Sequence, residues 1–123
     1  MKIYLPILLL LGVSLSPQAF AQTAENEIRV PFRFAVGKTL YETNCGNCHG
    51  MTGNGSKEGP PLMHKIYEPS HHGDASFYRA VAQGAKAHHW KFGDMKPIPE
   101  LSERDVGKIL PYVRWLQRQH GIQ

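Results

Sequence analysis

The segment Cys45-Gly46-Asn47-Cys48-His49 constrains the fold of this chain more than any other feature. It holds both cysteines of the chain, with two residues between them and a histidine directly after the second. Thiols at this spacing, followed by a histidine, are the attachment pattern of a c-type haem. The thiols add to the two vinyl groups of one haem, and the histidine approaches the iron as its proximal ligand. The segment therefore predicts one covalently bound haem c, with Cys45 and Cys48 as thioethers and His49 on the iron.

Two other uses of a Cys-x-x-Cys pair compete with this interpretation. A redox-active disulfide usually lies at the start of a helix in a β-α-β setting. Here the predicted helix precedes Cys45, and no strand pattern surrounds it. A zinc site needs further ligands at a fixed spacing, and none is obvious. The histidine after the second thiol favours haem over both.

The first 21 residues have the composition of a secretory signal peptide. Met1-Lys2 is a short positive start, Ile3 to Val13 is almost wholly apolar, and Ala19-Phe20-Ala21 provides the small residues of a cleavage site. The apolar run is well short of the roughly 20 residues that span a bilayer. We expect cleavage after Ala21 and a periplasmic protein without stable membrane insertion, with an uncleaved anchor as the alternative.

The remaining residues suffice for one domain with a modest core. The full chain carries a net charge of +4 without any basic run, which is too weak to predict nucleic-acid binding. A mild positive charge suits steering towards an acidic protein surface. We expect a monomer that meets an acidic redox partner.

From about Val36 to Gln119 the chain resembles the class I cytochromes c. Those proteins carry the Cys-x-x-Cys-His segment early, then a methionine loop, then a C-terminal helix that packs on the first. The resemblance implies an all-α fold with three to five helices around one covalent haem. The corresponding division is a signal peptide at 1–21, an N-terminal extension at 22–35 and a cytochrome c domain at 36–123.

By this resemblance, Met95 in Gly93-Asp94-Met95-Lys96-Pro97 is the distal iron ligand. Met51 is too close to the attachment segment to reach the other haem face, and Met63 resembles ordinary core filling. From the residues alone, His88, His89 or an open sixth position remain alternatives.

The Gly59-Pro60-Pro61-Leu62 segment is similar to a turn of the same family. The resemblance implies that the Pro60 carbonyl accepts a hydrogen bond from the proximal imidazole and that Leu62 packs on the haem. A plain proline-rich turn fits the sequence equally well. Tyr67 and Trp90 are further haem-pocket candidates, because either ring can be buried while its polar hydrogen bonds a haem propionate.

Three helices can be placed from local patterns. The first covers Gly37 to Asn44, the second runs from Asp74 to Gly84, and the last starts at the N-cap Ser102 with Asp105 as its capping-box partner. Gly121 marks the expected C-terminal end of the last helix. Its apolar positions form one stripe: Val106, Ile109, Leu110, Val113 and Leu116.

Two details of the last helix follow from the family resemblance and from Pro111. In the family, a glycine of the first helix lets an aromatic residue of the last helix approach closely, and Gly37, Tyr41, Ile109 and Tyr112 match these positions. Pro111 departs from the pattern, since a proline inside a helix removes a hydrogen bond. We expect a kink near Gly107–Pro111 or two shorter helical pieces.

Five histidines exceed what a haem protein with one proximal histidine requires: His64, His71, His72, His88 and His89. One interpretation is that they are solvated or bond haem propionates and loop carbonyls. A second is an additional metal site, for example for copper, because imidazole is a good ligand for such ions. A third is proton-coupled redox chemistry, because imidazoles titrate near neutral pH.

The sequence as a whole favours a diffusible electron carrier rather than an enzyme. Lys65, Lys86, Lys91 and Lys96 lie on the loops expected around the exposed haem edge. A haem enzyme would need a vacant or labile sixth position, which Met95 should block. A metal-binding or sensing module is the third possibility, and it depends entirely on the histidines.

Overall fold

Our computed structural model describes residues 29–123, and the predicted signal peptide and the first half of the N-terminal extension (22–28) lie outside this range. The helices are α1 (Ala35–Asn44), α2 (Gly46–His49), α3 (Asp74–Gln83) and α4 (Glu103–Gln119), with short 3-10 turns at Phe32–Phe34 and Lys65–Tyr67. Within the described range there is no strand, only one isolated antiparallel bridge between Ala85 and Met95. The predicted all-α fold with three to five helices is confirmed.

The start of α4 is set by the capping box that the sequence predicts. The Ser102 hydroxyl accepts a hydrogen bond from the Asp105 backbone N–H at 3.2 Å, and the Asp105 carboxylate accepts from the Ser102 backbone N–H at 3.2 Å. Each residue thus satisfies an N–H group that the helix itself leaves unbonded. At the other end, Gly121 adopts a φ of 73°, which suits glycine after a helix.

Pro111 lies inside α4 without dividing it, so the expectation of two helical pieces is wrong. Proline deprives the carbonyl four residues earlier, that of Gly107, of its usual partner. Both residues are on the exposed face of the helix, where water can bond that carbonyl. The proline is therefore tolerated.

The principal contact of the fold is the crossing of α1 and α4. A Cβ atom added at Gly37 would overlap the Lys108 carbonyl oxygen and lie 3.2 Å from the Tyr112 Cβ, so only glycine permits this approach. Beside it, the fully buried rings of Tyr41 and Tyr112 meet edge to face at 5.6 Å. The helix contact implied by the resemblance is present at these positions, with Ile109 also buried.

The packed core begins before α1. Phe34 is buried and its ring lies 5.7 Å from that of Trp115, while Val30 packs against the same cluster. Phe32, by contrast, is 94% exposed. Residues of the segment taken from sequence as an extension therefore contribute side chains to the core.

The face of α4 that is buried is wider than the apolar stripe in its sequence. All five stripe residues are buried, but so are Tyr112, Trp115 and the polar residues Arg114 and Gln117. The wider face reflects loops that pack on α4 from a second side, as described below. Among residues 29–123, no helix combines the length and apolar character that crossing a bilayer requires.

Candidate functional site

A cavity of about 510 Å³ gathers most of the residues singled out in the sequence. Its volume is within the range of pockets that enclose a small organic ligand. Its apolar wall comes largely from α3 and α4: Phe77, Ala80, Val81, Val106, Ile109, Leu110 and Val113. The predicted site residues that line it are Cys45, His49, Pro60, Leu62, Tyr67, Trp90 and Met95.

The two thiols lie where α1 continues into α2. The Cys45 carbonyl accepts the His49 backbone N–H at 2.8 Å, so one helical turn brings Cys45 and His49 to the same face. Cys45 lines the cavity, whereas Cys48 is exposed and outside its lining. Burial, with a smaller contribution from Cys48, raises the pKa of Cys45 to about 11. A redox-active dithiol requires a lowered thiol pKa, so this environment disfavours that interpretation.

The imidazole of His49 is held by a backbone carbonyl. Its Nδ1 lies 2.8 Å from the Pro60 carbonyl oxygen, and because a carbonyl only accepts, Nδ1 carries the proton. Burial lowers the pKa of His49, and this hydrogen bond partly opposes the shift. The half-buried ring is therefore favoured in its neutral form, with Nε2 available as an electron-pair donor, as metal binding requires.

Met95 lies on the loop between α3 and α4, and backbone bonds determine its position. Ala85 and Met95 exchange both N–H···O bonds, at 3.0 and 2.9 Å. Gly84 precedes the bridge with a φ of 76°, and a Cβ there would come 2.5 Å from the Met95 carbonyl oxygen. The loop therefore closes at its base, and its methionine side chain lines the cavity.

Tyr67 and Trp90 are neighbours on the cavity wall. The Trp90 Nε1 is a buried donor without a hydrogen-bond partner among the described residues. Burial raises the pKa of Tyr67, and the nearby Trp90 indole partly offsets this rise, although the two groups do not reach hydrogen-bond geometry. An unsatisfied donor of this kind is costly unless a ligand accepts from it.

Taken together, the groups around the cavity fit a haem c. The cavity offers a thiol at its edge, a neutral imidazole with one nitrogen free, a thioether and an unpartnered donor suited to a propionate. Leu62 is buried and lines the same cavity, where an apolar side chain could pack on a porphyrin.

Two residues that shape this site, Arg114 and Gln117, were missed in the sequence. The Arg114 guanidinium donates to the Asp74 carboxylate at 2.9 Å, the Tyr67 carbonyl at 2.8 Å and the His72 carbonyl at 2.6 Å. Gln117 donates to the Leu62 carbonyl at 3.0 Å and accepts from Arg114 at 2.8 Å. These bonds attach the cavity loop of residues 62–72 to α4. A polar residue in a helix carries no local sign of such distant partners, so sequence reasoning had no signal for them.

The structure brings four of the five extra histidines together and leaves the fifth apart. Ring nitrogens of His71, His72 and His89 all lie within 4.8 Å of one another. The His88 ring is stacked at 5.6 Å on His72. His64 instead accepts from the Ile66 backbone N–H, and its ring packs against Trp90. The proposed five-histidine set is therefore not assembled as one group.

The four lysines expected around the cavity are all exposed. Lys86 lines the cavity, but its ammonium lies 2.7 Å from the Asp94 carboxylate, which offsets its charge. The others make no ion pair within residues 29–123 and lie within two residues of a lining residue rather than in the lining itself: Lys65, Lys91 and Lys96.

Comparison with known proteins agrees with this chemistry. The family model for cytochrome c matches residues 34–117, which is more than half of the chain. Searches of curated proteins and of solved structures gave no match. On the family match, the chain belongs to the cytochrome c family, and membership implies a covalently bound haem c and haem-based electron transfer.

Proposed function

We propose that this protein is a periplasmic electron carrier, without catalytic activity of its own, whose haem iron is held between His49 and Met95. The observation that carries the proposal is that a neutral imidazole and a thioether line the same cavity, next to the thiol of Cys45. When bound, the haem supplies an iron that alternates between its ferric and ferrous forms.

Cys45 and Cys48 would hold the cofactor through two thioether bonds. Cys45 faces the cavity from the end of α1, and Cys48 follows within the α2 turn. Because both bonds are covalent, a protein diluted in the periplasm does not lose its cofactor.

His49 and Pro60 act as one unit in this proposal. The hydrogen bond from Nδ1 to the Pro60 carbonyl orients the ring and directs Nε2 to the metal. It also increases the electron donation of the imidazole, as such second partners generally do for histidine ligands.

Met95 would complete the coordination and adjust the potential. A thioether favours the reduced metal, so histidine and methionine together give a higher potential than two histidines. His88 and His89, the alternative ligands, lie with His71 and His72 in a separate histidine group, where His89 pairs with His71 and the His88 Nδ1 bonds the Lys86 carbonyl at 2.7 Å.

An absorption spectrum of the haem-loaded protein tests this assignment directly. We expect the ferric form to show the weak red band typical of iron–thioether coordination. Met95→Ala should abolish that band and lower the midpoint potential, whereas Met51→Ala, which removes a 59% exposed methionine, should change neither. A Met95→Ala protein with an unaltered spectrum would rule out Met95 as the ligand.

The proposal that the protein is not an enzyme has its own test. With both axial positions occupied, the reduced protein should bind carbon monoxide slowly or not at all, and Met95→Ala should bind it readily. Rapid binding to the unmodified protein would indicate an open site and favour a haem enzyme.

The partner is proposed to be a redox protein with an acidic docking surface. Lys65, Lys91 and Lys96 supply exposed positive charge on segments next to the cavity. Raising the ionic strength should then slow reduction by the partner, because exposed charges are screened. A rate independent of salt would contradict the proposal.

Export is proposed from the leader sequence alone. In a bacterial host with cytochrome-maturation machinery, the coloured protein should appear in the periplasmic fraction and begin at Gln22. Intact-mass measurement checks the cleavage site, and a protein that keeps Met1–Ala21 would contradict it. Analytical ultracentrifugation of the same material checks the expected monomer.

A further inference from the structure

Three imidazoles converge at the rim of the cavity from two loops. His71 and His72 precede α3, while His89 lies between α3 and α4. One ring nitrogen from each lies within 4.8 Å of the others. His71 and His89 are exposed and His72 is half-buried, and all three also line the cavity, so the cluster lies at its mouth and is open to solvent.

The closest pair has the spacing of ligands on one ion. The His71 Nε2 and the His89 Nε2 are 3.3 Å apart. Two nitrogens at about 2.0–2.1 Å from a tetrahedral ion are separated by about 3.3–3.4 Å. Both nitrogens, which are hydrogen-bonded to each other in this structure, therefore stand at a distance that a shared metal would also impose.

The hydrogen bonds of His72 and His88 use Nδ1 and leave Nε2 of each ring free to bind a metal. The His72 Nδ1 lies 2.7 Å from the Ile66 carbonyl oxygen, so this nitrogen carries the proton and Nε2 keeps its lone pair. The His88 Nδ1 is fixed in the same way, by the Lys86 carbonyl at 2.7 Å. A backbone carbonyl on one ring nitrogen is the usual partner of a histidine that binds metal through the other.

The charge state of the cluster agrees with this geometry. Desolvation first, and the neighbouring histidines next, lower the pKa of His89. Desolvation is also the largest cause that lowers the pKa of His72. Uncharged imidazoles are the form that binds metal.

Both loops are held in place by contacts outside the cluster. Arg114 on α4 bonds the His72 carbonyl at 2.6 Å. In the other loop, Asp94 accepts the Ala87 backbone N–H at 2.9 Å and pairs with Lys86. A site assembled in advance binds an ion without the cost of ordering its loops.

We propose that His71, His72 and His89 bind one late first-row divalent metal ion, such as Cu²⁺ or Zn²⁺, at a site separate from the haem iron. Three imidazoles and no carboxylate are a donor set that these ions favour over calcium or magnesium. His88, 4.1 Å from His89 between ring centres, is the candidate fourth ligand.

Equilibrium dialysis of the ferric, haem-loaded protein against Zn²⁺, and separately against Cu²⁺, tests the site. We expect one tightly bound ion per haem in each case, with Cu²⁺ tighter because it stands higher in the stability order of divalent ions. A combined His71→Ala and His89→Ala variant should weaken binding at least 100-fold. Both side chains are exposed, so this variant should fold, and its haem spectrum, recorded beside that of the parent, separates loss of the metal site from a change at the haem.

His120→Ala and His64→Ala are the matched controls, because each removes an exposed histidine that lies outside the cluster. Both should bind the ion as the unmodified protein does. The electron paramagnetic resonance spectrum of bound Cu²⁺ should show coupling to several imidazole nitrogens. Binding that survives the double variant, or that is absent from the unmodified protein, would overturn the proposal. Neither result bears on Met95, because haem ligation is tested by its own spectrum.

Discussion

The crossing of α1 and α4, which we call the helical frame, differs sharply from the loops at residues 64–72 and 84–95, which we call the rim. In the frame, Tyr41, Tyr112 and Val113 are at most 1% exposed, and at Gly37 the helices approach too closely for a side chain. In the rim, most side chains are exposed or half-buried, and short turns and single hydrogen bonds hold the backbone.

The helical frame and the rim therefore differ in how well they tolerate substitutions. A close-packed contact cannot take even one extra carbon without strain. Loops on a rigid frame can change their side chains more freely, and functional residues concentrate there for that reason. In this protein the thiols and His49 directly follow α1 of the frame, whereas Met95 and the histidine cluster belong to the rim.

Gly37→Ala is expected to have the largest effect on stability and so tests the frame most severely. The added carbon would overlap the Lys108 carbonyl, so the helices must separate, at a cost of about 3 kcal/mol in unfolding free energy. Gly107→Ala is the matched control, because its new carbon meets only the Tyr78 hydroxyl at 3.2 Å. Better helix propensity should stabilise that variant by about 1 kcal/mol. Denaturant unfolding measures the unfolding free energy of both variants. An equal change in the two would contradict the difference in packing between Gly37 and Gly107.

Arg114→Met tests the connection between frame and rim. It keeps the length of the side chain but leaves the His72 carbonyl without its donor and the Tyr67 carbonyl with only the 3.3 Å bond from Gln117. We expect the unfolding free energy to fall by about 2 kcal/mol, because these carbonyls lose hydrogen bonds from Arg114. Asp74, the charged partner of Arg114, is largely solvated, so the loss of that ion pair adds little. Amide exchange should become faster at residues 67–72 in particular. Arg118→Met, an exposed change one turn along α4, should be nearly neutral, and a similar loss there would refute the assignment.

Ser102→Ala removes the cap at the start of α4 and is expected to cost about 1 kcal/mol. Bonds from Ser102, chiefly from its hydroxyl, lower the pKa of Asp105. A carboxyl with a lowered folded-state pKa stabilises above its unfolded pKa, about 3.9, and stops doing so as the pH falls through the folded value. The difference in unfolding free energy between the variant and the parent should therefore become smaller at acidic pH. Thermal unfolding from pH 7 to pH 3 measures this stability difference, with the exposed Ser70→Ala as control. A stability difference that grows as the pH falls would contradict the prediction.

Lys86→Met is expected to have the smallest effect. Its ion pair with Asp94 closes the rim loop, but the ammonium is fully exposed and water competes for both charges. The Ala85–Met95 bridge and the Ala87 N–H bond to Asp94 do not involve the lysine side chain. The unfolding midpoint should stay within experimental error of the parent. A loss as large as that of Arg114→Met would show that the rim depends on this ion pair.

Much of the helical frame was predictable because its signals are local. The capping box at Ser102 acts over three residues, and α3 ends at Gln83, directly before Gly84, as the glycine predicts. The start of α1 was misplaced by two residues, since Ala35 and Val36 carry no boundary signal of their own. Pro111 was expected to kink or divide α4, and the division does not occur because the unbonded turn faces water.

The rim was less predictable, because its contacts join residues far apart in the chain. Seven histidines can be counted in the sequence, but their number does not distinguish His64, which stays apart, from the group at His71, His72 and His89. The role of Arg114 could not be predicted for the same reason, because all of its partners except Gln117 lie 40 or more residues away in the chain.

The sequence by itself determined the chemistry of the attachment segment, since two thiols and an imidazole within five residues have their mutual spacing set by covalent geometry and one helical turn. It also determined the helical class, through caps and periodic apolar residues. Only the tertiary structure decided which loops meet around the cavity, that Arg114 attaches the loop at residues 64–72 to α4, and that ring nitrogens of three histidines lie within 4.8 Å of one another. Those outcomes depend on the packing of α1 against α4, which no local pattern contains.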